Sequence, residues 1–187
     1  QGENLSVSQQ DLKINGHAIE ARLYAEDPNN DFLPSAGSVL LWEPSRVAEA
    51  RFDSGIESGS EVGIEFDPML AKIIVHAPTR REAALRLARV LETTRIQGLT
   101  TNRDFLASVL RHPSFLDGDT TTDFIDRIKP ARTNKLDDAA IVESLIAATL
   151  FAQEQRRAAA KVLKNAPSGW RNSVMPPERV SYIVADE

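Results

Sequence analysis

The sequence predicts an α+β fold, in which an antiparallel β-sheet domain packed with helices is followed by a long α-helix. Two observations predict the first domain. Apolar and polar residues alternate through short segments before residue 77, which is typical of half-buried strands. After Thr79 the apolar period becomes that of helices, and strands followed by helices are typical of α+β domains. A third observation, a helical pattern from Asp137 to about Lys164, predicts a helix roughly 40 Å long.

The first predicted strand, His17 to Glu26, has two different faces. Ile19, Ala21 and Leu23 form an apolar face, and the other face is polar, so the strand should be half buried. Turn residues separate further short runs, which predicts more strands. These are Ser38–Trp42, Val47–Phe52, Glu61–Glu65 and Met69–His76.

Three helices are predicted next. Thr79 and Glu82 have the spacing of a capping box, so a helix should begin there, and Gly98 is placed to end it. Thr101 starts a second helix that Pro113 stops, and a short third helix lies near residues 122–128.

Two domains are expected, with a boundary near Lys129. Residues 130–134 resemble a linker, and residues 135–187 hold the long helix and the start of an extended segment near Val180. The chain opens on Gln-Gly-Glu-Asn and ends in a pattern typical of the start of a strand, so we expect both ends to be cut. We therefore expect the function to lie partly elsewhere.

Composition excludes several functions. The net charge of −5 and the absence of a Lys/Arg cluster argue against a nucleic-acid partner. No apolar run approaches the roughly 20 residues that cross a bilayer, so no membrane partner is expected. There is no cysteine, and the three histidines are scattered without an i, i+4 pair, so we predict no metal site.

Arg22 is the strongest chemical candidate. It lies in mid-strand between Glu20 and Tyr24, and a guanidinium fixed by a sheet stabilises negative charge on an oxygen without reorganisation. The alternative is a surface ion pair that contributes little. Asp67 before Pro68 fits a simple turn, and Lys72 fits either a substrate cation or a lysine that protects a sheet edge.

Three blocks in order resemble the biotin carboxylase C-terminal domain. They are residues 16–28 with 32–37 (GHAIEARLYAEDP and FLPSAG), residues 66–74 (FDPMLAKII), and residues 79–91 with Gly98, Thr101 and Asn102. The resemblance covers residues 1 to about 129. The long helix and the Gly169-Trp170-Arg171-Asn172 tail resemble the subunit-bridging domain of acyl-CoA carboxylase alpha subunits of the propionyl- and methylcrotonyl-CoA type.

The resemblance implies the reaction. ATP and bicarbonate give carboxyphosphate, and CO₂ passes to a biotin carried on a separate domain. It implies that Arg22 is catalytic and stabilises the oxygen of deprotonated biotin, with Glu20, Tyr24 and Asp67 around that site. Arg51 matches a dimer-interface position of some biotin carboxylases, and Ile141, Val142 and Leu145 are candidate interface residues on the helix.

Partners and location follow from the same resemblance. ATP and Mg²⁺ would bind mainly to an ATP-grasp part that this sequence lacks, so the chain alone should be inactive. The carboxyltransferase beta subunit, the biotin carrier domain and bicarbonate are the expected partners, in a bacterial cytoplasm or a mitochondrial matrix. The alternatives are a non-catalytic assembly module that docks carboxylase subunits, or the same domain of a pyruvate, urea or acetyl-CoA carboxylase.

Overall fold

The computed structural model describes residues 2–134, 136–162, 170, 173, 176 and 179–184. They fall into two compact units, residues 1–134 and 135–187. The strands of the first unit are short except for β1 and β8. They are β1 (His17–Tyr24), β2 (Glu26–Asp27), β3 (Leu33–Pro34), β4 (Gly37–Ser38), β5 (Leu41–Glu43), β6 (Ala50–Ser54), β7 (Glu61–Val62), β8 (Met69–Ala77) and β9 (Arg95–Gln97).

Four helices complete the first unit. They are α1 (Arg80–Thr93), α2 (Arg103–Arg111), α3 (Pro113–Asp117) and α4 (Phe124–Ile128), and two single 3-10 turns lie at Gln9–Asp11 and Pro28–Asn30. This mixture of antiparallel strands and helices confirms the predicted α+β class.

A three-stranded antiparallel sheet in the order β1-β8-β6 is the framework of the first unit. The remaining strands form two-stranded antiparallel pairs, β2 with β3, β4 with β7 and β5 with β9. Because β8 lies between two neighbours, Lys72 is on a central strand. The expectation that Lys72 protects a sheet edge is therefore wrong.

The core lies between one face of this sheet and α1. The predicted alternation in β1 is confirmed, since Ala21 and Leu23 are buried while Glu20 and Arg22 are exposed. Leu23, Ile73, Leu87 and Leu91 are fully buried together between the sheet and α1. Burial of one such side chain stabilises the fold by about 1.5–3 kcal/mol, so this layer fixes which face of β1 points outward.

The predicted capping box begins α1. The Glu82 N–H donates to Thr79 Oγ1 at 3.2 Å, and the Thr79 N–H donates to Glu82 Oε2 at 3.1 Å. The predicted end at Gly98 is wrong, because α1 ends at Thr93 and β9 follows. Pro113 does follow the end of α2, but it also occupies the first turn of α3, where its missing N–H is not needed.

The second unit contains one long helix, α5 (Asp138–Ala159), whose first turn is capped by the Asp137 side chain. Its 22 residues span about 33 Å, less than predicted, and it ends before residue 160. Lys164 and the predicted tail residues 169, 171 and 172 lie outside the described residues. Residues 179–184 are without a strand, although the Tyr182 hydroxyl lies 2.9 Å from Thr149 Oγ1.

Within the described residues, no helix has the length and apolar character required to cross a membrane.

Candidate functional site

The outward face of the central sheet carries charged side chains in rows across the strands. Strand register places Arg22 of β1 opposite Lys72 of β8, and Lys72 opposite Asp53 of β6. One row further along, Glu20 lies opposite Ile74, which lies opposite Arg51. Two predicted site residues of β1 and the candidate interface residue Arg51 therefore share one face.

Arg22 is held at this face by its own strand. Its Nε donates to Glu20 Oε1 at 3.2 Å, and its side chain remains 64% exposed. The hydrogen bond and charge of Glu20, followed by the interaction with Tyr24, raise the pKa of the Arg22 guanidinium above its ordinary value. The structure thus brings Glu20, Arg22 and Tyr24 together, with a cation that is both positioned and accessible.

A second ion-pair network occupies the other two strands of the sheet. Asp53 accepts hydrogen bonds from Arg51 at 2.8 and 3.0 Å, and its carboxylate lies 3.2 Å from Lys72 Nζ. The bond from Arg51 and then that from Lys72 lower the pKa of the Asp53 carboxyl. Both cations are therefore engaged by one carboxylate next to Arg22, a network that the sequence reasoning missed.

Asp67 occupies the turn that leads into β8. Its Oδ1 accepts a hydrogen bond from the Met69 N–H at 2.9 Å, as expected of a turn before Pro68. Burial, followed by the negative charge of Asp67, raises the pKa of Glu26 just beyond β1. Asp67 therefore lies near the end of β1, where its side chain bonds to the Met69 backbone.

Asn102 is the residue at this site whose role the sequence reasoning missed. The Tyr24 N–H donates to Asn102 Oδ1 at 2.9 Å, and Asn102 Nδ2 donates to the Arg22 carbonyl oxygen at 3.2 Å. The Asn102 N–H also donates to the Tyr24 carbonyl oxygen at 3.2 Å. Three hydrogen bonds thus bind the outer edge of β1 to the start of α2, across 78 to 80 residues of sequence.

A cleft of about 330 Å³ runs beside the outer edge of β1. Strand β1 contributes both polar and apolar side chains to its lining, and further apolar side chains come from α2, α3 and the loop at Phe32. Since α1 packs on the opposite, buried face of the sheet, it leaves the Arg22 side chain accessible. The polar lining residues are Glu20, Arg22, Tyr24, Glu26 and Asn102.

Arg22 supplies this face with a cationic hydrogen-bond donor, next to the carboxylates of Glu20 and Glu26. In the described part of the chain, no group of three or more His, Cys, Asp or Glu residues is arranged to hold a metal ion. An exposed guanidinium, fixed by a neighbouring carboxylate, can instead donate hydrogen bonds to an oxygen that carries negative charge.

Comparison with known proteins assigns the fold to a family. Residues 20–127 match the model of the biotin carboxylase C-terminal domain, and the chain belongs to this family. The match includes Arg22, Asp67 and Asn102, and it ends close to the predicted domain boundary.

The relatives are alpha subunits of acyl-CoA carboxylases. The mitochondrial methylcrotonoyl-CoA carboxylase subunit alpha of Mus musculus is 43% identical over 125 residues, which are 66% of this chain and 17% of that protein. The mitochondrial propionyl-CoA carboxylase alpha chain of Homo sapiens is 36% identical over 196 aligned positions, which cover 98% of this chain and 27% of that protein. The chain therefore spans about a quarter or less of the length of these two relatives.

A solved structure supports the same assignment. The biotin carboxylase domain of the Hydrogenobacter thermophilus 2-oxoglutarate carboxylase, in complex with MgADP, ADP and bicarbonate, superposes with a TM-score of 0.68 at 32% identity. The match covers 73% of this chain and 30% of that one.

Proposed function

We propose that this chain forms one wall of the biotin site in the biotin carboxylase component of an acyl-CoA carboxylase. That component uses ATP and bicarbonate to carboxylate a biotin carried on a separate domain. The observation that carries the proposal is Arg22, an accessible guanidinium that Glu20 holds at 3.2 Å on the outward face of β1.

The residues of this face fit the proposed ligand. Biotin, when bound, supplies a ureido nitrogen that accepts CO₂ and a ureido oxygen on which negative charge develops. Arg22 is charged at every physiological pH and donates hydrogen bonds in a fixed plane, so it can stabilise such an oxygen without reorganising. Glu20 and Tyr24 orient the guanidinium, while Asp67 and Glu26 add negative charge at the end of β1.

ATP, Mg²⁺ and bicarbonate belong mainly to another part of the enzyme in this proposal. The described residues offer no acidic cluster for Mg²⁺. We expect an ATP-grasp part to bind all three ligands, so this chain alone should not cleave ATP.

The test is biotin-dependent ATP cleavage by this chain joined to the ATP-grasp part of a propionyl-CoA carboxylase alpha chain. Arg22→Ala should lower the turnover number by about 10²-fold or more, because a positioned group that stabilises developing charge is lost. Arg22→Lys should have a turnover number between those of Arg22→Ala and the wild type, since an ammonium keeps the charge but lacks the planar set of N–H donors of a guanidinium.

Arg51→Ala is the matched control. Arg51 lies on the same sheet face, is paired with a carboxylate of its own strand and is 73% exposed. Its removal should leave turnover near the wild-type value. Near-normal turnover of folded Arg22→Ala would make Arg22 structural and would overturn the proposed role.

A second function, assembly of subunits through α5, is favoured by a separate observation. No residue of this helix is buried, and Val142, Ile146 and Leu150 are more than half exposed along one stripe. Similarity to the human propionyl-CoA carboxylase alpha chain also extends over the region that contains α5. We propose that this region contacts the carboxyltransferase beta subunit, with the predicted residues Ile141, Val142 and Leu145 in the interface. Of these, Val142 lies on the exposed stripe, while Ile141 and Leu145 are half-buried beside it.

Binding and catalysis can be tested separately. Charged substitutions on α5 should weaken capture of the beta subunit and leave biotin-dependent ATP cleavage unchanged, whereas Arg22→Ala should do the reverse. Loss of both properties in both variants would indicate a general folding defect and contradict this division of roles.

A further inference from the structure

Asn102 precedes α2 but does not cap it. An asparagine at the N-cap usually accepts a hydrogen bond from the second or third N–H of its helix. Here the side chain makes no such bond, and both polar atoms of its amide instead contact β1. Helix α2 therefore lacks a side-chain hydrogen bond at its N-cap, and the Asn102 amide stabilises β1 instead.

The β1 edge requires a partner where Asn102 binds it. In the described sheet, β1 is an edge strand whose only strand neighbour is β8. The β1–β8 register also shifts between Leu23 and Tyr24, and such irregularities commonly redirect side chains next to active sites. Asn102 takes the place of a neighbouring strand here, since it accepts from the Tyr24 N–H and donates to the Arg22 carbonyl.

The bonds are made at Arg22, the side chain proposed to face biotin, and at Tyr24, which orients the guanidinium. Asn102 is only 6% exposed, so little water competes for the hydrogen bonds of its amide, and the amide keeps one orientation. Oδ1 faces an N–H and Nδ2 faces a carbonyl, so both ends of the amide are satisfied. The backbone of Arg22 and Tyr24 is thereby fixed on the side away from β8.

We infer that Asn102 is a positioning residue that sets the direction of the Arg22 and Tyr24 side chains at the biotin-facing wall. This inference rests on the proposed function, and it adds a residue that touches neither biotin nor ATP. Its loss should weaken the biotin-dependent step and leave the activation of bicarbonate by ATP unchanged.

The experiment compares two activities of a full-length alpha chain that carries this domain: biotin-dependent ATP cleavage, and the slow bicarbonate-dependent ATP cleavage without biotin. Asn102→Asp keeps the size and the acceptor for Tyr24, but it places an oxygen against the Arg22 carbonyl. Asn102→Ala removes both bonds. Each should lower the biotin-dependent turnover number by about tenfold or more, with the biotin-independent rate and the KM for ATP unchanged.

Thr94→Val is the control for lost stability. Thr94 is also a buried, hydrogen-bonded polar residue, 1% exposed, but it contacts Val90 and Ser45 rather than β1. This variant should leave the ratio of the two activities at the wild-type value. In the 187-residue chain, the Tyr24 amide should exchange at least tenfold faster in Asn102→Ala than in Thr94→Val.

Two outcomes separate the inference from the proposed function. An active wild type whose Asn102 variants lose both activities equally, or keep the Tyr24 amide protected, would overturn the positioning role alone. A full-length wild type without biotin-dependent ATP cleavage would overturn the proposed function. The positioning role of Asn102 in that reaction would then be overturned as well.

Discussion

Gly98 lies where the β5–β9 pair comes close to the end of β4. Its φ of +108° is a conformation that other residues rarely adopt. A Cβ added there would collide with the Ser38 carbonyl oxygen and lie 2.8 Å from the Leu40 nitrogen. The backbone approach itself is fixed by the Leu40 N–H, which donates to the Gln97 carbonyl at 2.8 Å.

We expect Gly98→Ala to lower the free energy of unfolding by about 2–4 kcal/mol, because conformational strain adds to a backbone collision. Gly59→Ala is the matched control, since Gly59 also has a positive φ, +94°, but an added Cβ there would have no heavy atom within 4 Å. Gly59→Ala should lower the free energy of unfolding by about 1–2 kcal/mol. Urea denaturation of both variants measures the difference between their free energies of unfolding. Equal losses of unfolding free energy would contradict the prediction, because the backbone near Gly98 would then have moved to relieve the collision with Ser38.

Residue-level prediction succeeded where the information was local. Alternation along β1 placed Glu20, Arg22 and Tyr24 on one face, because strand geometry alone decides this. It failed for Asn102, whose partners are far away in sequence, and for Lys72, whose strand is central only because β6 pairs with β8. Catalytic roles of the named residues remain predictions, as do the interface roles.

At the scale of elements, starts were easier to predict than ends. The capping box of α1 and the Asp137 cap of α5 were found because a few neighbouring side chains determine each of them. The sequence pattern predicts a helix end at Gly98 incorrectly, since a glycine with positive φ occurs both at helix termini and at close backbone contacts. Which of these forms depends on β9, and its partner β5 lies more than 50 residues earlier.

The exposed stripe of α5 allows a prediction for this element. Val142, Ile146 and Leu150 recur every four residues and are 54%, 55% and 59% exposed. A continuous apolar stripe of this kind promotes association in water. We expect the chain to self-associate reversibly at micromolar to millimolar concentrations, and Ile146→Glu with Leu150→Glu to abolish this association.

Sedimentation velocity over a concentration series measures the effect. Ala148→Glu is the control, because it adds a charge on the opposite side of the same helix. A wild type that stays monomeric across the series, with the amides of α5 fully protected from exchange, would contradict the prediction.

For the whole molecule, the division between the two units falls after residue 134, a few residues beyond the boundary expected from the sequence. Arg132, beyond the expected boundary, contacts the first unit. Its guanidinium donates to the Pro28 carbonyl, lies 3.4 Å from the Asp31 carboxylate and stands 5.6 Å from the centre of the Phe32 ring. Composition marked residues 130–134 as a linker, and it could not reveal that one of them packs back on an early loop.

A pair of truncations tests where the first unit ends. A chain of residues 1–134 should unfold in urea like the first unit of the full chain, because it retains every contact of Arg132. A chain of residues 1–129 should lose about 1 kcal/mol of unfolding free energy, since a charged hydrogen bond and a cation–π contact disappear at a partly exposed site. Arg132→Ala in the longer chain should reproduce that loss. If both truncated chains were equally stable, residues 130–134 would be a linker in solution, and the Arg132 contacts would contribute no net stability to the first unit.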